Sequence, residues 1–110
     1  MAALTSQGLS LAGVAPSAVA VAASDTIAEA QCGANGVIVR VINGGGSPDT
    51  VTITDPTLSD MGSAATNPTV SVTNGTTKMI AIPRSALNSS GVITLAHSFQ
   101  TSVTCEVYRW

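Results

Sequence analysis

The chain reads as an all-β protein: an antiparallel β-sandwich or jelly roll of about seven short strands, preceded by an extended N-terminal arm. Three observations predict this. In residues 50–54, Val51 and Ile53 alternate with three threonines, and residues 69–73 repeat the pattern around Val70 and Val72. That is the period of a strand with one buried face. Residues 37–42 are a β-branched run interrupted only by Arg40. No apolar pattern of helical period is long enough to carry a parallel crossover, so the sheets should be antiparallel.

Taken in order, residues 1–23 carry no charge and are rich in Ala, Ser, Gly and Val. Gly8, Gly13 and Pro16 punctuate them, which leaves an extended arm rather than a helix. Within it residues 18–22 read as a weak strand with Val19 and Val21 on one face. The apolar stretch 9–23 has no basic residue before it, since the first is Arg40. It is also broken by Ser10, Pro16 and Ser17. We therefore expect neither a signal peptide nor a membrane span. Residues 25–34 are the one candidate helical turn, capped by Ser24 or Asp25 and ended by Gly33.

From Gly36 the β signal is strong. After the 37–42 strand, residues 43–49 form a turn, because Asn and Gly tolerate positive φ and Pro48 cannot join a ladder. Val51 and Ile53 face a core. Residues 55–68 are a long loop. Val70 and Val72 point inward, and Asn74-Gly75 is the strongest short hairpin signal in the chain. It predicts that 76–82 folds back on 69–73. Pro83 ends that strand, and one helical turn fits at 85–88. Residues 91–96 and 102–110 are the last strands, the final one with Val103, Cys105 and Val107 on one face. The organisation expected is an arm over 1–23 and a sandwich over 24–110.

The 110 residues are 45% hydrophobic, 9% charged and 3% aromatic. Average chains carry about 25% charge. Phe99, Tyr108 and Trp110 are the three aromatics, so Val, Ile, Leu, Ala and Met must build the core. A net charge of −2 with no basic cluster excludes the usual nucleic-acid binder, which neutralises phosphates. One His, two Cys and six scattered carboxylates are little material for catalysis. We expect no enzyme, no cofactor and no metal site. His97 reads as a surface or turn residue at a strand end, and its neighbour Ser98 points to the opposite face. Asp25 and Glu29 read as solvated. Asp55 and Asp60 flank a loop but are too few for a calcium site. The Asn43-Gly44-Gly45-Gly46 run lacks the Lys-Ser/Thr of a phosphate loop. Cys32 and Cys105 read as small buried thiols; a bridge would need their Cα atoms within about 7 Å.

The surface is the odd feature. Four basic and six acidic side chains must cover it together with Thr, Ser, Asn, Gly and Ala. The arm residues Leu9, Leu11, Val14, Val19 and Val21 cannot bury themselves within the arm. Either they lie on another protein or extend its sheet, or they pack on their own domain as an edge strand. Tyr108, Arg109 and Trp110 are residue types enriched at interface hot spots; the alternative is that their rings cap the domain's own core.

Residues 36–110 carry a run of features in fixed order. Val41-Ile42-Asn43-Gly44-Gly45-Gly46 is followed by Asp49-Thr50-Val51-Thr52-Ile53 and then by Ile80-Ala81-Ile82-Pro83 and Leu87-Asn88. Gly91-Val92-Ile93-Thr94-Leu95 and Thr101-Ser102-Val103-Thr104 close it. In order and spacing this resembles the small β-rich head-decoration and minor capsid proteins of tailed bacteriophages. Those usually have an aromatic in the segment matching Ile82-Pro83, and this chain has none there. The resemblance implies a structural, non-catalytic virion subunit on the outer capsid surface, assembled in the bacterial host cytoplasm. Its partners would be the major capsid protein and copies of itself, a trimer being one such cluster, with no nucleic acid and no membrane. A different class, a carbohydrate-binding sandwich module of a phage tail or fibre, would need exposed aromatic platforms.

Overall fold

The computed structural model describes residues 2–58 and 60–110. Met1, at the head of the expected arm, and Ser59, in the 55–68 loop, lie outside the described residues. Nine strands are present among the described residues, against about seven expected. They are β1 (Ala2–Leu4), β2 (Val19–Ala20), β3 (Ser24–Ala28), β4 (Gly36–Asn43), β5 (Asp49–Ile53), β6 (Thr69–Val72), β7 (Thr77–Pro83), β8 (Val92–His97) and β9 (Val103–Arg109). One sheet runs β1-β3-β8-β5-β6 and the other β2-β9-β4-β7. Every pairing is antiparallel except β1 with β3. No helix among the described residues is long and apolar enough to cross a membrane.

The pairings are nested. β5 pairs β6, β4 pairs β7, β3 pairs β8 and β2 pairs β9. The chain is thus one long ribbon doubled on itself, then rolled shut where β4 meets β9 and β5 meets β8. Only the β5–β6 link stays within a sheet; the others cross. Alternation puts Val37, Val39 and Val41 of β4 and Val103, Cys105 and Val107 of β9 into the space between the sheets. There they meet Ile27, Val51, Ile53, Ile93 and Leu95. The core is Val, Ile and Leu as expected, but among the described residues methionine does not contribute: Met61 and Met79 are exposed.

Three expectations about local structure fail. The helical turn at 25–34 is instead β3 followed by a 3-10 turn at Glu29–Gln31. Asp25 and Ile27 alternate inward, and a five-residue ladder with β8, from Ser24↔Ala96 to Ala28↔Val92, outweighs the capping signal. The hairpin at Asn74-Gly75 is instead a turn between the two sheets, because β6 and β7 lie in different ones. Gly75 has φ +78° while Asn74 is not in the positive region. A two-residue hairpin turn of the Asn-Gly type needs positive φ at both. Asn43 draws the turn toward β4 as well: its carbonyl accepts from Gly75 N–H at 2.8 Å and its N–H donates to Thr76 at 3.0 Å.

The third correction concerns the arm. β1 extends the first sheet beyond β3. Gln7 pairs with β9, its N–H donating to Val107 at 2.8 Å and its carbonyl accepting from Arg109 at 2.9 Å. β2 follows on the same strand, and Val21 is buried. Residues 23 and 24 therefore do not separate two units. The free edges of β3 and β9 would otherwise present unpaired backbone groups, and the N-terminal segment satisfies them. Within the N-terminal segment, residues 8–18 stand out from the sheets.

Candidate functional site

The 8–18 loop is clamped by one side chain. Gln7 donates from Nε2 to the Ala15 carbonyl at 2.9 Å, and its Oε1 accepts from Ser17 N–H at 3.1 Å. The departing and returning legs are therefore tied at the base. At the tip, Gly13 N–H donates to Ser10 at 3.0 Å, with Gly13 at φ +83°, a backbone state that favours glycine. The turn holds Leu11 fully out in solvent, and Leu9 is 67% exposed. A compact surface loop with its ends pinned has already met much of its ordering entropy. Covering each leucine would gain roughly 1.5–3 kcal/mol.

The other expected interaction residues divide. Val14 is half-buried and Val19 is exposed. Val21 and Tyr108 are buried within the chain itself and so drop out of any free surface. Arg109 is exposed and reaches the carbonyl and hydroxyl of Ser6 at 3.2 Å. Trp110 is half-exposed, and its backbone pairs with Gly36 and Asn35 where β4 begins. Tyr108 belongs to an outer-face network instead. Its hydroxyl donates to Glu106 Oε1 at 2.5 Å, and the same carboxylate takes Arg40 Nη1 at 3.1 Å. The hydroxyl's bond to Glu106 holds the Tyr108 pKa above the usual tyrosine value. With Tyr108 buried and Phe99 packed against the core, Trp110 is the one aromatic ring left for sugar stacking.

Sequence reasoning missed a second cluster. Asp25, Asp49 and His97 are all buried, so His97 is not a surface residue and Asp25 is not solvated. They come from β3, β5 and β8, neighbours in one sheet. His97 Nδ1 lies 2.6 Å from Asp49 Oδ2, and its Nε2 faces Asp25 Oδ2 at 3.7 Å, beyond hydrogen-bond reach. Asp49 also accepts from Phe99 N–H at 3.2 Å, and Asp25 from Ala22 N–H at 3.2 Å. His97 Nε2 has no hydrogen-bond partner. A signal for this was present: Asp49 is in phase with Val51 and Ile53, Asp25 with Ile27, and His97 with Ile93 and Leu95. Ser98 points away, as expected, and accepts from Thr50 N–H at 2.8 Å. The cluster is sealed from solvent and cannot meet a substrate as it stands. Its carboxylates sit on opposite nitrogens of one ring. Among the described residues no three His, Cys, Asp or Glu side chains are placed to share a metal ion.

Between β6 and β7, the side of the fold away from the N-terminal segment, lies an open cleft of about 230 Å³. Ile53, Val70, Ile80 and Ile82 give it an apolar floor, with Asp55 and Thr57 on its rim. The Asp55 pKa is lowered by the Thr57 hydroxyl and N–H donating to its carboxylate. Cys32 and Cys105 are free thiols; burial pushes the Cys105 pKa up to about 11. Comparison with protein-family models, curated proteins and solved structures found no match.

Proposed function

We propose that this chain is a structural virion subunit, a decoration protein bound to the outside of a tailed-phage capsid through its 8–18 loop, with copies clustering by their sheet edges. The observation that carries this reading is the clamped loop that presents Leu9 and Leu11 to solvent. An exposed leucine on a floppy tail is unremarkable, whereas a turn pinned by Gln7 offers a preorganised apolar contact. The strand order supports it. β2 to β9 form four nested antiparallel pairs over two four-stranded sheets, with β1 added at one edge. Such an order would suit a jelly roll, an architecture used by viral capsid and lectin domains. Fold alone does not assign function; the loop and the resemblance over residues 36–110 supply the rest. Many copies on a symmetric shell gain by avidity, so each needs only a modest interface.

The test is co-sedimentation of the purified chain with undecorated tailed-phage shells. Wild type should pellet with the shells. Leu9→Asp/Leu11→Asp should lower affinity about a hundredfold or more, since two leucines are uncovered, while its circular dichroism stays unchanged. A double variant that binds undiminished, or a wild type that stays in the supernatant, overturns the reading.

A further inference from the structure

We infer that the chain self-associates as a two-fold dimer through the free edge of β7, which pairs antiparallel with the partner's β7 and sets each Lys78 toward the Asp55 cleft of the other copy. This rests on the edge-clustering part of the proposed function, and not on shell binding.

The four edge strands differ greatly in length: β1 has three residues, β2 two, β6 four and β7 seven. A long unpaired edge is a template for another strand. Which backbone groups are open follows from the ladder with β4. Asn43 N–H donates to Thr76, and Arg84 N–H to Asn35. Both fall on the β4–β7 register, where Val39 faces Ile80. Hydrogen-bonded pairs in an antiparallel ladder recur every second residue. Lys78, Ile80 and Ile82 therefore bond to β4, and Thr77, Met79 and Ala81 direct their N–H groups outward. Pro83, next in that series, has no N–H and offers only its carbonyl.

This edge complements itself. A dyad at Ile80 aligns Thr77 with the partner's Pro83 and Met79 with the partner's Ala81, over the full strand. Each Met79–Ala81 pair exchanges two hydrogen bonds, and each Thr77 donates to a Pro83 carbonyl. The second sheets of the two copies then join into one sheet of eight strands. On the outer face Met79, exposed alone, lies against the partner's Ala81.

Charge selects this register. Lys78 is the one charged residue of β7. A dyad at Lys78 would oppose like charges, which is unfavourable. With the dyad at Ile80 the two lysines are about 14 Å apart along the strands, beyond the screening length. Each Lys78 then sits opposite the partner's Ile82, on the inward side. Ile82 lines the cleft that also holds Asp55. The lysine that usually guards an edge here meets a carboxylate only in the correct pairing.

The experiment is sedimentation velocity on the full chain across a concentration series, with amide exchange read by NMR. Wild type should be dimeric, and its Met79 and Ala81 amides should exchange more slowly as concentration rises. Ala81→Pro removes an N–H that its own sheet does not use, so it should be monomeric with unchanged circular dichroism. Lys78→Glu should raise the dimer Kd at least about tenfold, and adding Asp55→Lys should restore it. A wild type monomeric up to about 100 µM, well above the Kd of a specific dimer, overturns the proposal, as does an Ala81→Pro variant that dimerises normally. A Lys78→Glu variant with unchanged Kd overturns the register. Should Ala81→Pro not fold, wild-type exchange decides alone: no slowing at Met79 and Ala81 refutes the pairing. A dimer that ignores shells leaves this inference standing and removes the decoration reading; a shell-binding monomer does the reverse.

Discussion

Replacing His97 with leucine keeps the volume and removes the partner of a buried carboxylate. Asp49 and Asp25 have no exposed surface and His97 is 4% exposed. The 2.6 Å bond from His97 Nδ1 to Asp49 therefore has no water to replace it. Breaking a buried pair by removing one partner costs about 3–5 kcal/mol, whereas an exposed pair is worth under about 1 kcal/mol. A domain of this size is stable by about 5–15 kcal/mol, so the variant should lose a large fraction of its stability. At about 4 °C per kcal/mol the melting point falls by about 12–20 °C. Asp25→Asn is the control. Asn still accepts the Ala22 N–H, and the 3.7 Å gap to Nε2 is too long for a hydrogen bond, so it should cost less than about 1.5 kcal/mol. Urea denaturation of both variants, of Asp49→Leu and of Asp49→Leu/His97→Leu measures the difference. The double variant should cost less than the sum of its parts by at least about 1 kcal/mol. A His97→Leu cost below about 1 kcal/mol, or an Asp25→Asn cost equal to it, would refute the assignment of Asp49 as the partner that matters.

Three further predictions follow from particular contacts. The Cys105 pKa rises from 9.0 to about 11 on folding, so the native state holds its proton more tightly between those values. The thiol's contribution to stability is constant below pH 9 and declines as pH rises to 11, by about 3 kcal/mol at most. Cys105→Ala should make that decline shallower, the remainder reporting Cys32 and Tyr108, whose pKa values are also raised. Asn43→Ala deletes side-chain bonds to Ser47, Val72 and Gly45 and should cost about 2–4 kcal/mol in urea melts. Gly36→Ala meets φ +133° and would put its Cβ 2.0 Å from the Ile82 carbonyl oxygen. It should lose more than about 3 kcal/mol, while Gly46→Ala, in open space, should stay within about 0.5 kcal/mol by thermal melting.

Local alternation alone specifies the strands from Gly36 onward. Period-two alternation is written in adjacent residues, and β4, β5, β6, β7, β8 and β9 each begin and end within a residue or two of where it places them. The tertiary structure decided which strands meet. Asn74-Gly75 carries a hairpin signal, yet the bonds from Asn43 pull it into a turn between sheets. A capping signal at Ser24 and Asp25 yielded to a ladder with β8, nearly seventy residues away in the chain. The N-terminal segment looked unable to bury itself, and alone it cannot; the open edges of β3 and β9 pair with its two ends and bury Leu4 and Val21, while Leu9, Leu11 and Val19 stay exposed. The acid–histidine cluster was half legible, since alternation put all three residues inward. Their meeting depends on β3, β8 and β5 lying side by side, a long-range pairing that no local pattern encodes. Local periodicity sets which face a residue presents; what that face touches is set by backbone groups and apolar surface far off in the chain.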